Sequence, residues 1–321
     1  MRRFPGSRRV LLALLPCLPV FICSAASVDQ KLLSLIPPAA QIVARIGAPS
    51  SPSSTDNFVL VTHNSGIDLN DFYALSGVDS TRVIHELIFV AAADTAGPLS
   101  DHSLMASGNF DRGRIYRSAV DNGSGITSCH GISVLVVQPF ARERAEFSEV
   151  RWLVIPEPDV LLFGSIKSVQ QELDRYLARS SIDPRLAARL SRLQSEDATW
   201  SVLSMPAWSP EIRSALAVID PELAAGLKDG DAFQFGIRYG RRVEFEYEIT
   251  TASVTAPRSI SDSLTQSLAG PEKGSSLLPT SDTTVDNTTV RGVIRISMAR
   301  YNAWLAEISA QSRRVSAPSP R

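Results

Sequence analysis

From Phe233 to Ile249 apolar and polar residues alternate one for one. Phe233, Phe235, Ile237 and Tyr239 alternate with Gln234, Gly236 and Arg238. Past Gly240, Val243, Phe245, Tyr247 and Ile249 alternate with Arg242, Glu244, Glu246 and Glu248. Two period-two runs around a glycine predict an antiparallel hairpin with one buried face and one wet face. With Gly240 to Arg242 as the loop, Tyr239 faces Val243 and Arg238 faces Glu244. All apolar residues then share one face, and an opposite-charge pair sits on the other; a slip of one residue would mix the two.

The same reading assigns the rest of the chain. Lys31 to Leu35 is a short helix stopped by Pro37 and Pro38. Short strands are expected at Gln41–Ile46, Phe58–Thr62, Ile84–Val90, Ser103–Ser107, Ile132–Val137, Val150–Ile155, Val160–Phe163, Trp200–Leu203 and Val290–Ser297. Pro156 to Asp159 connects two of them as a hairpin. Helical spacing appears at Asp68–Leu75 and in a helix capped by Asp111 with Ile115 and Ala119 inward. It appears again through Ile166, Val169, Leu173, Tyr176 and Leu177. Asp183-Pro184 and Ser209-Pro210 are caps followed by a proline in the first turn; Leu186, Leu190 and Leu193 follow the first, and Ile212, Leu216 and Ile219 the second. Further helices carry Ile260, Leu264 and Leu268, then Tyr301, Leu305 and Ile308. Gly47 to Ser54, 121–125 and the polar stretch 273–287 read as loops, and residues 312–321 as a disordered tail.

Neighbouring strands are joined by hairpins and then followed by a helix. This predicts an α+β fold with antiparallel or mixed β-sheets, helices packed on one face, and room for two similar sub-domains. A parallel doubly wound sheet is the less favoured alternative. The division drawn is 1–27 signal peptide, 28–56 N-terminal segment and Pro/Ser linker, 57–205 first sub-domain, 206–311 second sub-domain.

The N-terminus changes what the composition means. The chain has 321 residues, 20% charged, with a formal charge of −1 and 3 cysteines. Arg2, Arg3, Arg8 and Arg9 precede an apolar run from Val10 to Cys23, followed by Ser24, Ala25, Ala26 and Ser27. That is the layout of a cleavable export signal, with cleavage expected after Ala26. The run is shorter than the roughly 20 residues of a spanning helix and contains Pro16 and Pro19, so retention as an anchor is the lesser alternative and no transmembrane span is expected in the mature chain. Removing residues 1–27 takes away four arginines and no acid, moving the formal charge from −1 to −5. Cys17 and Cys23 leave as well. The mature chain is then a disulfide-free, mildly acidic, periplasmic or secreted protein held together by packing. Without a basic excess it is no dedicated nucleic-acid binder.

Candidate chemistry is sparse. There is no phosphate-cradling loop, and Gly123-Ser124-Gly125 lacks the spacing and flanks of a hydrolase elbow. Cys129 beside His130 could be a nucleophile, but strand neighbours point to opposite faces, and a small half-buried residue at a strand end is the favoured reading. His85-Glu86 begins like a zinc-protease helix, but Phe89 stands where the second ligand belongs. His63, His85 and His102 could still meet in space beside Asp68, Asp71 or Asp101 as a metal or catalytic centre. Glu244, Glu246 and Glu248 could take a cation or simply be the solvated side of a sheet, and the second is favoured. Trp152, Trp200, Trp208 and Trp304 read as core ahead of pocket lining. Asn122 and Asn287 stand in glycosylation acceptor motifs. No catalytic, cofactor or metal residue is assigned.

Several stretches together resemble a group of uncharacterised exported proteins of acidobacterial-type soil bacteria. They are Gly77-Val78-Asp79 with Val83 to Val90, Ser107-Gly108-Asn109-Phe110-Asp111, His130-Gly131 before Ile132 to Val137, Leu162-Phe163-Gly164 leading to Val169-Gln170, and Asp197-Ala198-Thr199-Trp200. The resemblance covers roughly residues 57–250. It implies fold and export and brings no active site with it. The expectation is a non-enzymatic binding or interaction protein of the cell envelope. The alternative is an envelope-acting hydrolase or metal-dependent enzyme using His63, His85 or His102.

Overall fold

In the computed structural model, residues 29–47, 83–94, 97–138, 150–193, 199–204, 230–239, 242–252, 254–269 and 280–301 are described. The expected export signal, the strand Phe58–Thr62, the helices at Asp68–Leu75 and after Ser209-Pro210, His63, Trp208, Trp304 and the tail lie outside them. The strands are β1 (Ile42–Gly47), β2 (Ile84–Asp94), β3 (Gly97–Gly108), β4 (Gly125–Cys129), β5 (Ile132–Val137), β6 (Arg151–Glu157), β7 (Val160–Ser165), β8 (Thr199–Ser204), β9 (Gly230–Tyr239), β10 (Arg242–Thr251), β11 (Thr280–Asp286) and β12 (Thr289–Ser297). The helices are α1 (Gln30–Leu35), α2 (Arg112–Asp121), α3 (Ile166–Leu177), α4 (Pro184–Leu190) and α5 (Ala256–Ala269), with a further helical start at 298–301.

All twelve strands join one antiparallel sheet in the order β11-β12-β10-β9-β8-β1-β2-β3-β7-β6-β5-β4. The α+β antiparallel expectation therefore holds, and the order has an internal likeness. β1 leads to the hairpin β2–β3, helix α2, a meander that returns from the outer edge to β3, and helix α3. β8 leads to the hairpin β9–β10, helix α5, a shorter meander that returns from the outer edge to β10, and a helix at 298. The two units meet where β1 pairs with β8.

Two rows of cross-strand neighbours define the faces. One runs Thr283, Gly292, Tyr247, Phe235, Ser201, Ala44, Phe89, Leu104, Phe163, Leu153, Leu135, Ile126. The other runs Asp282, Val293, Glu246, Gly236, Trp200, Arg45, Ile88, Met105, Leu162, Val154. We call these faces A and B. Strand residues alternate between them, so each row is a section through one side of the sheet.

Helices cover both faces, which corrects the one-face expectation. On face A, Ile115, Tyr116 and Ala119 of α2 pack with Phe89, Leu104, Leu135, Leu153 and Phe163. On face B, α1, α3 and α4 bring Leu32, Leu35, Val169, Leu173 and Leu186 onto Val43, Ile88, Met105, Val154 and Leu162. The reason is visible in β2, β3, β6 and β7, which are apolar at consecutive positions, so each face there needs its own cover. The caps were legible: Asp111 accepts from Arg114 N, and Asp183 from Arg185 N and Leu186 N with Pro184 in the first turn.

The hairpin forms in the register read from the alternation, with Tyr239 opposite Val243 and Arg238 opposite Glu244. Two polar segments are corrected. Residues 280–286, expected within a loop, form edge strand β11. Threonine and valine there suit a pleated edge, and Thr283 hydrogen-bonds the Tyr247 hydroxyl at 3.0 Å. Residues 125–129 form the opposite edge, β4; Gly125, expected in a loop, is its first residue.

Candidate functional site

The expected site residues do not converge. His85 is exposed at an irregularity at the start of β2. His102 is buried on face A beside the Phe89 ring, centroids 6.0 Å apart. Ala91 pairs with His102, which puts His85 roughly 20 Å away along the strands. His130 has φ 51° in the β4–β5 turn, and its Nε2 lies 3.0 Å from the Asp174 carboxylate of α3. Among the described residues no group of three His, Cys, Asp or Glu is close enough to hold a metal ion. Cys129 is half-buried at the end of β4, as its favoured reading has it. Burial and the nearby Asp174 charge push its thiol up, away from the thiolate form that a nucleophile needs. Trp200 is buried, and Trp152 packs at the margin of the face B core.

The glutamate stripe is occupied by arginines. Arg238 reaches Glu244 at 3.0 Å and Glu246 at 2.8 Å, and Arg295 reaches Glu244 at 3.1 Å and Asp282 at 2.5 Å. Arg291 and Arg192 both lie 2.7 Å from Glu248. Face B over β9–β12 is thus a lattice of paired charges. Arg192 and Arg189 come from the end of α4, so they clip the helical cover of the first unit to the sheet of the second. Arg189 donates to the carbonyls of Leu203 (2.8 Å) and Phe233 (3.0 Å), and burial pushes its guanidinium down to about 10.

Polar groups also fix α1. Asp29 caps it through Lys31 N. The Asp29 N–H donates to Glu86, whose other oxygen accepts from Arg45 at 2.5 Å; both partners of that pair are buried. Lys31 is clasped by Glu157 and Asp159, each at 2.7 Å, which holds its ammonium above the usual lysine range. Arg175 of α3 donates to the carbonyl of Ser34.

The two sheet edges differ. β11 carries Asp282 and Asp286, charges of the kind that keep an edge from pairing further. β4 reads Gly-Ile-Thr-Ser-Cys and has no charge. Gly125 to Ser128 are exposed, and Ile126 is 58% exposed on face A. β4 pairs with β5 on one side, and no described strand pairs on the other. Sequence reading missed this edge because Gly-Ile-Thr-Ser-Cys, with one large apolar residue after a glycine loop, carries no alternation. No known protein family, curated protein or solved structure matches the chain.

Proposed function

We propose that the chain is an exported, non-enzymatic binding protein of the cell envelope or its surroundings, and that it holds an extended segment of a partner protein along β4. The uncharged, exposed edge carries this reading: unpaired backbone donors and acceptors there are met by another strand, and Ile126 offers an apolar contact on one side. Export rests on Arg2 to Arg9 and the Val10–Cys23 run, and the resemblance to exported proteins of acidobacterial-type soil bacteria points the same way. The hydrolase or metal-enzyme alternative loses support from the separation of His85 and His102.

The test is a pull-down from an envelope extract with the chain beginning at Ser27, beside the same chain carrying Ile126→Lys and Thr127→Pro. A partner retained by the first and lost by the second, with unchanged circular dichroism and with β4 amides protected on binding, is expected. An identical captured set for both chains refutes the edge reading. An intact Met1 on the exported product refutes cleavage.

A further inference from the structure

We propose that Glu172 is a proton-linked latch for α3: protonated, it lets the helix lie on face B, and deprotonated, it loosens the helix from the sheet. This goes beyond the binding role and does not depend on it.

Glu172 stands where a helix of this kind should carry an apolar residue. Ser165, Val169 and Leu173 recur at four-residue spacing and Ser165, Ser168, Glu172 and Tyr176 at three- and four-residue spacing, so they share the stripe turned toward the sheet. The side chain is 0% exposed. One carboxyl oxygen accepts from the hydroxyl of Ser103 on β3, and the other has no hydrogen-bond partner among the described residues. Backbone geometry brings Ser103 close. It pairs with Gly164, where a Cβ would stand 2.4 Å from the His102 carbonyl and 2.6 Å from the Ser103 Cα. A larger residue at 164 would force β3 and β7 apart under the helix.

Among the described residues no cation faces the carboxyl. On β3, Asp101 is paired with Lys167, and His102 points to face A. On β6, Arg151 lies over the Phe163 ring on face A, and Glu157 is held by Lys31 and Tyr176. β7 has no titratable side chain. On α1, Lys31 is taken by Glu157 and Asp159, and Asp29 caps the helix. On α3 itself, Arg175 serves the Ser34 and Ser181 carbonyls and Asp174 faces His130. An ionised carboxylate with one hydroxyl donor and no cation is costly to bury, so the folded state holds the proton. Burial pushes the carboxyl up to about 8, with the Ser103 hydrogen bond opposing.

The sign follows. With the helix lifted, Glu172 meets water and ionises near the ordinary glutamate value of about 4.3. Between there and about 8 the docked state binds one more proton, so docking is firmest in acid, weakens as pH rises, and stops weakening once the docked carboxyl has ionised.

Hydrogen exchange of the whole mature chain tests this. After correction for intrinsic rates, the opening constant of the 168–177 amides is expected to rise about tenfold per pH unit from pH 5 to 7.5, with β2 and β3 amides unaffected. Glu172→Gln should flatten the α3 profile. A pH-independent α3 in the native chain overturns the latch, as does an unchanged slope in the variant or an equal slope in β2 and β3. Should Glu172→Gln fail to fold, infrared spectroscopy of the native chain decides. A protonated-carboxyl band present at pH 6 and lost above pH 9 supports the latch, and its absence at pH 6 overturns it.

Discussion

The two units of the sheet share an order of elements and treat face B in opposite ways. In the first unit, Ile88, Met105, Leu162 and Val154 lie under α1, α3 and α4. In the second, the same row continues as Gly236, Glu246, Val293 and Asp282, and arginines meet the carboxylates. The difference teaches that a sheet needs cover only where its side chains demand it. Four arginine-bound acidic groups finish one half of face B, while the other half requires three helices. The few polar groups beneath those helices must then be fully paired or neutral.

Three pairs of substitutions sharpen this contrast. Arg45→Met breaks a buried ion pair and strands Glu86; about 3–5 kcal/mol of stability should be lost. Arg291→Met removes an exposed arginine from Glu248 and leaves that buried carboxylate with Arg192, so under about 1 kcal/mol is expected. Equal costs in chemical denaturation would erase the distinction. Next, Leu162→Ala opens the buried side of face B and should cost about 2–5 kcal/mol, while Glu246→Ala, on the same row, should cost under about 1 kcal/mol. The glycines come last. Gly164→Ala drives a methyl into backbone and should cost about 1–3 kcal/mol. Gly292→Ala meets the far end of the Tyr247 side chain, 2.4 Å from its Oη. Moving that ring forfeits its bond to Thr283, about 1 kcal/mol. A lower melting temperature for Gly292→Ala than for Gly164→Ala would show that the side-chain collision outweighs the backbone one.

Period-two and helical spacing made most of the described elements legible. The β9–β10 register, the Asp111 and Asp183 caps and the α3 stripe follow from residue order alone. Two-sided helical cover was legible in part, since β2 and β7 are apolar at consecutive positions, yet nothing in Arg112–Asp121 says which face it takes. β4 and β11 were hidden because edge strands need no apolar alternation. Glu172 could have been found. It lies three residues past Val169 and one before Leu173, on the inward stripe, and a lone acid there is the signal. Arg45, two residues past Val43 in β1, is the same kind of signal. What sequence could not supply is that Glu172 meets a single serine while Arg45 meets Glu86, because both partners come from strands placed only by the fold.

The seam between β1 and β8 sets a timetable. The hydroxyl of Ser201 bonds the carbonyl of Val43 across 158 residues of sequence. During synthesis from the N-terminus, β1 is the first of the described strands made, and its flank toward β8 stays open until the first unit has followed. Hairpins such as β2–β3 and β9–β10 close locally and early, whereas the seam is a late, long-range event. Until β8 arrives, the future centre of the sheet is an unguarded edge, and that interval is when the chain is most exposed to pairing with the wrong neighbour.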